Sequence, residues 1–330
     1  LLAGSVTAAG LVQLTAVAWM LRRMELLARP KLRPILPEVR RIARLTLPMI
    51  VPLGVLQFSA FFDRAYAHAL AVRPGDETLT ILGREIARPL GEGVVTWFDN
   101  ANRLYQFPMA ILGISLATAV FPLFSRYAAA ADTDGLRRAV NRALRLCLFL
   151  GIPAGAALAI LAEPAMTAIF RHGLFTASDA AAAAFMLRLY CVGMWAYFCN
   201  HILLRAFFAQ QDTRTPLRVS CGLVGVNMAM VVTLVFTPLR SGAIPLATAT
   251  TSTLNTLLLL AILRRRWGRL GLRSVANSRV RIGVAAGVMS LALWWATTRL
   301  LPEGSAGASF REVAVALVVC VPLGAGVYVA

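Results

Sequence analysis

Charge is scarce in this chain of 330 residues: Asp, Glu, Lys and Arg together make up 15%, where a soluble protein carries about 25%. That shortage argues against a water-soluble globular domain and equally against a disordered chain, which needs charge in place of apolar residues. Acids are the rarer sign, 15 against 33 basic residues, for a net charge of +18. There are three histidines and five cysteines. Cys147, Cys191, Cys199, Cys221 and Cys320 all fall in apolar stretches without paired metal-ligand spacing, and they read as small buried hydrophobes. No HExxH, nucleophile elbow, P-loop, paired CxxC or DxD cluster occurs, so hydrolytic, metal-dependent and nucleotide-driven chemistry lack a recognisable motif.

What is abundant is apolar residues, 58% of the chain, with a mean hydropathy of +0.70. They fall in nine segments, a to i: residues 1–21, 45–72, 94–125, 144–170, 180–210, 219–237, 243–263, 280–300 and 313–330. Blocks of roughly this length cross a hydrocarbon core of about 30 Å as helices. The fold class read from this pattern is all-α, a polytopic transmembrane helical bundle of about nine spans. The first segment lacks a basic start and a cleavage site, and Arg22 and Arg23 follow it, so it reads as a span and not as a signal peptide. The chain opens inside an apolar segment without an initiator Met and stops within another. It reads as a piece of a longer protein.

The basic residues are sorted by loop. Successive loops carry net charges of +6, −2, +3, −1, +2, +1, +7 and 0, an alternation that the positive-inside rule converts into topology. The a–b, c–d, e–f and g–h loops are expected on the cytoplasmic side, the first residue outside and the last residue inside. The excess basicity is then a topology signal, with attraction to anionic membrane lipids as a consequence. A nucleic-acid partner is not expected, because the charges form no continuous basic surface.

Charged and strongly polar residues within spans are costly, and usually mark a cavity or a partner. Segment b holds Gln57, Ser59, Asp63, Arg64, Tyr66 and His68; Ser59 and Asp63 stand one helical turn apart. Segment c holds Asn100, Asn102, Arg103 and Gln106, followed by the small residues Gly113, Ser115, Ala117, Thr118 and Ala119, which let a neighbouring helix approach closely. Asp63 and Arg103 each lie roughly 13 Å in from the outer surface by helical rise, so they can face one space. Two readings stay open: an ion pair of Asp63 with Arg64 or Arg103 that fixes helix register, or a cationic cavity in which Arg103 holds a phosphate through its planar fork of donors. Arg188 is expected to snorkel outward. Prolines at 48, 52, 108, 122, 153, 245 and 322 are expected to kink spans, which suits a carrier that rocks between two states. The stretch AQQDTRTP (residues 209–216) reads as a cytoplasmic turn, with Asp212 and Thr213 as caps and Pro216 opening the next helix.

Three of these stretches, in order, resemble one family. ANRLYQFPMAILGISLATAVFPLFS (residues 101–125) is similar to the signature helix of the MurJ (MviN) lipid II flippases, an A-x-R-L-x-x-x-P run ending in L/F-P-x-L-S. QDTRTP (residues 211–216) resembles that family's cytoplasmic turn, and FFDRAYA (residues 61–67) its v-D-r-x-x-A motif. Segments d and g, with LATATTSTLN in g, fall in the right order, and the likeness runs over the whole chain.

The resemblance implies a fourteen-helix fold of the multidrug/oligosaccharidyl-lipid/polysaccharide exporter superfamily, two six-helix lobes about a central cavity plus two groove helices. On it, residues 1–21 map to the last helix of the N-terminal lobe and 22–44 to a basic cytoplasmic linker. Residues 45–263 map to the C-terminal six-helix lobe, and 280–330 to the groove pair. It implies a bacterial cytoplasmic (inner) membrane protein that is a transporter and not an enzyme. The expected partner is lipid II, the undecaprenyl-pyrophosphate-linked disaccharide-pentapeptide, flipped by alternating access; membrane lipids surround it. Arg103 falls on the family's cavity arginine, with Asn102, Gln106, Ser59 and Arg64 beside it as head-group candidates. An acidic residue often precedes that arginine in the family, where Asn102 stands here. The resemblance further implies no cofactor, but a coupling ion, sodium or a proton, or else the membrane potential; Asp63, Asn227 and Thr248 are the ion-site candidates, although segment f carries no acid. Two alternatives remain at this stage: a superfamily relative exporting a drug or another polyprenyl-linked glycan, and a membrane enzyme acting on polyprenyl phosphates.

Overall fold

The structure, a computed structural model, describes residues 2–24, 61–72, 75, 78–81, 84–268, 272–301 and 310–329. The chain divides into two compact units, Leu1–Leu47 and Pro48–Ala330. The first contributes one described helix, α1 (Leu2–Arg23), which ends on two arginines, where cations suit the negative end of the helix dipole.

The second unit begins, among described residues, with a helix at residues 61–70, here α2. A short antiparallel hairpin follows, β1 (Thr78–Ile81) on β2 (Arg84–Ala87), in register from Thr78 opposite Ala87 to Ile81 opposite Arg84. The long b–c loop thus holds a β element that hydropathy left unmarked. Its base is tied to α2, with Arg88 donating to the Ala69 carbonyl (2.5 Å) and Val72 to the Leu90 carbonyl (2.8 Å).

Helix α3 (Val94–Pro108) passes through a π-helical stretch, Met109–Ile114, into α4 (Ser115–Ala129). Pro108 has no amide proton to donate back up the helix, and a widened turn directly after it absorbs the missing rung. The result is one continuous span of 36 residues. α3 buries Val94, Phe98, Ala101 and Tyr105, the i, i+4, i+7, i+11 stripe of a single helical face, against α7 (Ala177–Val192). Tyr105 stacks on Tyr190 there, with ring centroids 5.0 Å apart.

Helix α5 (Thr133–Ile160) starts eleven residues before segment d was read to begin. Hydropathy marks where a helix enters apolar surroundings and not where it starts, so Arg137, Arg138, Arg142 and Arg145 stand on a helix and not in a loop. The chain breaks at Leu161 and continues as α6 (Ala162–Phe170). Segment e is likewise two helices, α7 and α8 (Met194–Ala209), meeting at Gly193 with a bend of 48°. α9 (Arg214–Leu234) buries only Pro216, Asn227 and Val231, and α10 (Ala243–Trp267) is buried along much of its length. α11 (Leu272–Leu300) lies against α5, and α12 (Phe310–Val329) against α11 and α6. Leu161, Met289, Leu293, Ala296 and Cys320 form the cluster between them.

Among the described residues four helical stretches are long and apolar enough to cross a membrane, 94–129, 133–160, 214–234 and 240–267, and the bent pair α7–α8 makes five. That is fewer than the nine read from apolar blocks. Segment b is described only from residue 61. Segments a, h and i form the helices α1, α11 and α12. The chain is an all-α polytopic membrane bundle carrying one small hairpin.

The turn at residues 130–132 and the turn at 210–212 are built alike. In each, a residue with positive φ (Ala131, 52°; Gln211, 59°) closes a helix, and the next amide reaches back five residues, Asp132 to Tyr127 and Asp212 to Phe207, both at 3.0 Å. That is the paired bonding of a Schellman ending. Each aspartate then caps the following helix: Asp132 accepts from the Gly135 amide (2.7 Å) and Asp212 from the Thr215 amide (3.0 Å) and hydroxyl (2.7 Å). The cap expected of Asp212 is present; Thr213 makes no side-chain cap bond.

Candidate functional site

Asp63 on α2 is 5% exposed, and a carboxylate at that burial needs partners. Its Oδ1 accepts from Nδ2 of Asn227 on α9 at 3.1 Å, across 164 residues of sequence. The Thr248 hydroxyl on α10 also lies in hydrogen-bonding reach of Asp63, while donating to the Ile244 carbonyl at 2.9 Å. The Thr251 hydroxyl, one turn further along α10, lies 3.4 Å from Oδ1 of Asn227 while donating to the Ala247 carbonyl at 2.8 Å. Three helices therefore bring Asp63, Asn227 and Thr248 to one buried point, and Thr251 joins them. Asn227 is fixed there because α9 turns only one narrow stripe inward, Asn227 and, one turn on, Val231.

Neither arginine expected as a partner of Asp63 takes that place. Arg64, the next residue on α2, points to the other side and pairs with Asp99 at the start of α3 (Nη2 to Oδ1, 2.8 Å; Nε to Oδ1, 2.9 Å). A single register position separates the two, so consecutive side chains diverge by about 100° around the helix. Arg64 is thereby tied to a carboxylate, with its side chain 59% exposed. Ser59 lies outside the described residues.

Arg103 is exposed, on the face of α3 opposite the Phe98–Ala101–Tyr105 stripe. It takes no part in the ion pairs Arg64–Asp99, Arg137–Asp134, Arg188–Glu163 or Arg266–Asp212. Asn102 and Gln106 bond to each other, Gln106 Nε2 donating to Asn102 Oδ1 at 3.1 Å. They flank the guanidinium at i−1 and i+3. Arg188, expected to snorkel outward, reaches Glu163 at 3.2 Å. The sequence offered no cue for that pair, since its members lie on different helices, α6 and α7.

A second polar grouping stands against Asp63. Tyr105, Tyr190 and Tyr197 cluster, with Tyr105 and Tyr197 ring centroids 5.0 Å apart, and both Tyr190 and Tyr197 are within electrostatic reach of Asp63. Among the described residues no group of three or more His, Cys, Asp or Glu side chains is placed to hold a metal ion. Around Asp63 the donors are a carboxylate, an amide and hydroxyls. That set of hard oxygens, with one formal charge, fits a proton or a small monovalent cation. Asn227 turns its NH2 and not its oxygen toward the carboxylate, so binding a cation there requires the amide to turn over and release Thr251.

At the end of α10, Arg266 clamps the 210–212 turn. It bonds Asp212 (2.7 Å) and the Thr215 hydroxyl (2.9 Å) and lies over the Phe207 ring, 5.5 Å from its centroid. Burial alone raises the Asp212 pKa, but the Thr215 bonds and the Arg266 guanidinium outweigh it and hold the carboxyl below its usual range.

Comparison with known proteins places this architecture. The chain is 31% identical over 297 residues to a probable lipid II flippase MurJ of Rhizobium meliloti, covering 89% of this chain and 51% of the relative. It is 29% identical to the probable lipid II flippase MurJ of Vibrio cholerae, covering 97% and 57%. Its fold is similar to a solved lipid II flippase MurJ in an inward closed conformation, with a TM-score of 0.66, 18% identity, and 93% of this chain and 56% of that one covered. An outward-facing multidrug resistance MATE family transporter of the MOP superfamily matches at a TM-score of 0.55 and 16% identity, over 78% of this chain and 54% of that one. The chain spans about half the length of the curated relatives it matches. A family model described as lipid II flippase MurJ matches residues 1–315, and the chain belongs to that family of transporters.

Proposed function

We propose that this chain contributes the C-terminal lobe and groove helices of a lipid II flippase of the bacterial cytoplasmic membrane. In this reading the protein moves the undecaprenyl-pyrophosphate-linked disaccharide-pentapeptide between leaflets by alternating access. Residues 1–21 are the last helix of the other lobe, 22–44 the basic linker, 45–263 the six-helix lobe and 280–330 the groove pair. Segments a, b, h and i cross the membrane in addition to the spans already counted, as the lengths of α1, α11 and α12 allow: 22, 29 and 20 residues. The first residue lies outside and the last in the cytoplasm.

The observation that carries this reading is Arg103. A guanidinium within a long apolar span, exposed and outside the ion pairs described above, needs an anion to offset its insertion cost of about 2.5–3.5 kcal/mol. A diphosphate head group meets that need through bidentate bonds, with Asn102 and Gln106 placed to reach its sugar or phosphate oxygens. Arg64 shares the work when Asp99 releases it, and Ser59, four residues before Asp63 in the sequence, completes the set. Asp63, Asn227 and Thr248 serve the coupling ion, sodium or a proton.

The test is Arg103→Ala in the complete protein, expressed in cells depleted of their own flippase. Loss of growth and of lipid II externalisation is expected, with Arg103→Lys retaining part of both. Full rescue by Arg103→Ala overturns the assignment. Cysteines placed in the 73–93 segment and in the 268–271 connection between α10 and α11, labelled from one side at a time, test the orientation.

A further inference from the structure

Two turns that hold none of the transport residues face each other at one end of the lobe. The 130–132 turn closes α4 and opens α5, and the 210–212 turn closes α8. Between them lies a pocket of about 600 Å³, lined from α4 by Ser125 and Tyr127, from the first turn and the start of α5 by Asp132 and Thr133, and from α8 and the second turn by Phe208, Gln210 and Gln211. Both walls are set before anything binds. Asp132 is held by its bond to the Gly135 amide and Asp212 by the Arg266 clamp. Gly135 leaves the room that Tyr127 and Asp132 take up, since an added Cβ would meet the Asp132 carboxylate and, at 2.6 Å, Cδ1 of Tyr127.

The lining carries more hydrogen-bonding groups than the protein itself uses. Among the described residues the hydroxyls of Ser125, Tyr127 and Thr133 and the Gln211 carboxamide make no hydrogen bond. Gln210 donates its NH2 to the Ala206 carbonyl (2.9 Å) and keeps its oxygen, and Asp132 keeps Oδ2. Among those residues no Arg, Lys, His or Cys lines the space, so a phosphate finds no counter-charge beside the Asp132 carboxylate and a multivalent metal finds too few ligands. A hydrocarbon chain would strand the polar groups. What matches hydroxyls, carboxamides and a single carboxylate beside the rings of Tyr127 and Phe208 is a neutral ligand whose own groups both donate and accept, with C–H faces for the rings. A sugar has that chemistry, and the volume falls within the ~300–1,000 Å³ of ordinary ligand pockets.

We propose that the pocket between the 130–132 and 210–212 turns binds a short neutral saccharide bearing hydroxyl and acetamido groups. Its source is the disaccharide of the lipid-linked cargo, because the orientation given above puts this end of the lobe in the cytoplasm, where the head group of an inner-leaflet lipid lies. A free saccharide of the same chemistry would fit the same walls, and the test below separates the two. By helical rise Ser125 stands roughly 30 Å along the span from Arg103. A sugar held here and its diphosphate held on Arg103 are therefore successive states of transit and not one. The tie to the cargo rests on the transport function proposed above; the saccharide site does not.

Saturation-transfer NMR on the complete protein, in nanodiscs of uncharged lipid that keep sugar-based detergents out, tests the site with N,N′-diacetylchitobiose as the probe. Transfer to its acetyl and ring protons is expected. Thr133→Ala with Gln211→Ala, both exposed positions, is expected to weaken binding about tenfold, as the loss of two ordinary hydrogen bonds does. No transfer in the parent, or equal binding by the double variant, overturns the site. Equal transfer to N-acetyl-trialanine amide overturns the choice of a sugar. Lipid II added to the nanodiscs is expected to displace the chitobiose; failure to displace it overturns the tie to the cargo and leaves a site for a free saccharide. Arg103→Ala keeps the two ideas apart: full transport by that variant, with chitobiose bound as before, defeats the transport reading and leaves the saccharide site standing.

Discussion

Gly193 offers a direct test of how the lobe is held together. A Cβ added there falls 2.8 Å from both Cα and Cβ of Ala249 on α10. Carbon atoms rest at about 3.5–4.0 Å, so α8 and α10 would have to part by roughly 1 Å, and one of the obstructing atoms is backbone that has no rotamer to yield. Overpacking of this kind costs about 1–3 kcal/mol, on the order of 5 °C in midpoint for a chain of this size. Gly193→Ala is therefore expected to lower the thermal midpoint of the purified protein in detergent, read by exposure of the buried cysteines to a thiol-reactive dye. Gly222→Ala is the comparison: nothing lies within 4 Å of its added Cβ, and in a helix interior the change is neutral or stabilising by about 0.4–1 kcal/mol. Adding Ala249→Gly to Gly193→Ala removes one of the two close atoms and should restore part of the loss. If Gly193→Ala behaves like Gly222→Ala, the close approach of α8 and α10 at this point is wrong.

Asn227→Leu should destabilise by roughly 1–3 kcal/mol or more, because it strips the Asp63 carboxylate of a buried partner. Asp63→Asn leaves a neutral amide able to bond Asn227, so it should cost less; the order of the two midpoints decides. Asp212 has a folded pKa below its unfolded value, so its cap contributes fully above about pH 4 and is lost as pH falls through the lower folded value. Asp212→Ala should accordingly lower stability near pH 7 by about 0.5–2 kcal/mol and flatten the decline on acidification below pH 4. Arg188→Ala breaks a pair whose side chains are 45% and 33% exposed, and the change should stay within about 1 kcal/mol.

The meeting of Asp63 with Asn227 and Thr248 was named from the family resemblance, and Asp63 itself is marked by a local signal, a carboxylate inside an apolar run. Asp63 and Asn227 stand out in their segments however the helices pack. Arg64 and Asp99, or Arg188 and Glu163, carried no such mark, since an ion pair depends on which faces of two helices meet. Hydropathy marked the apolar stretches but misplaced helix ends, extending segment d across the break at Leu161 and running segment e through Gly193 without interruption. The hairpin at residues 78–87 was missed because four-residue strands in a polar loop leave no apolar period to detect. The exposed guanidinium of Arg103 was foreseeable from its cost in the bilayer, whereas the pocket between the 130–132 and 210–212 turns needed the coordinates, because hydroxyls and carboxamides far apart in the chain face one space only once α4 and α8 have packed.

The docking of α11 along α5, and of α12 on α11 and α6, carries one more implication. Leu293 contacts Gly324 so closely that a side chain there would meet it at 3.1 Å, and the Tyr328 hydroxyl reaches the Phe149 carbonyl at 2.7 Å. The last two helices are thus bolted to one side of the molecule. On the function proposed above, a hydrocarbon tail lying along them would travel with α5 and α6, its distance from those helices unchanged whatever its polar end did.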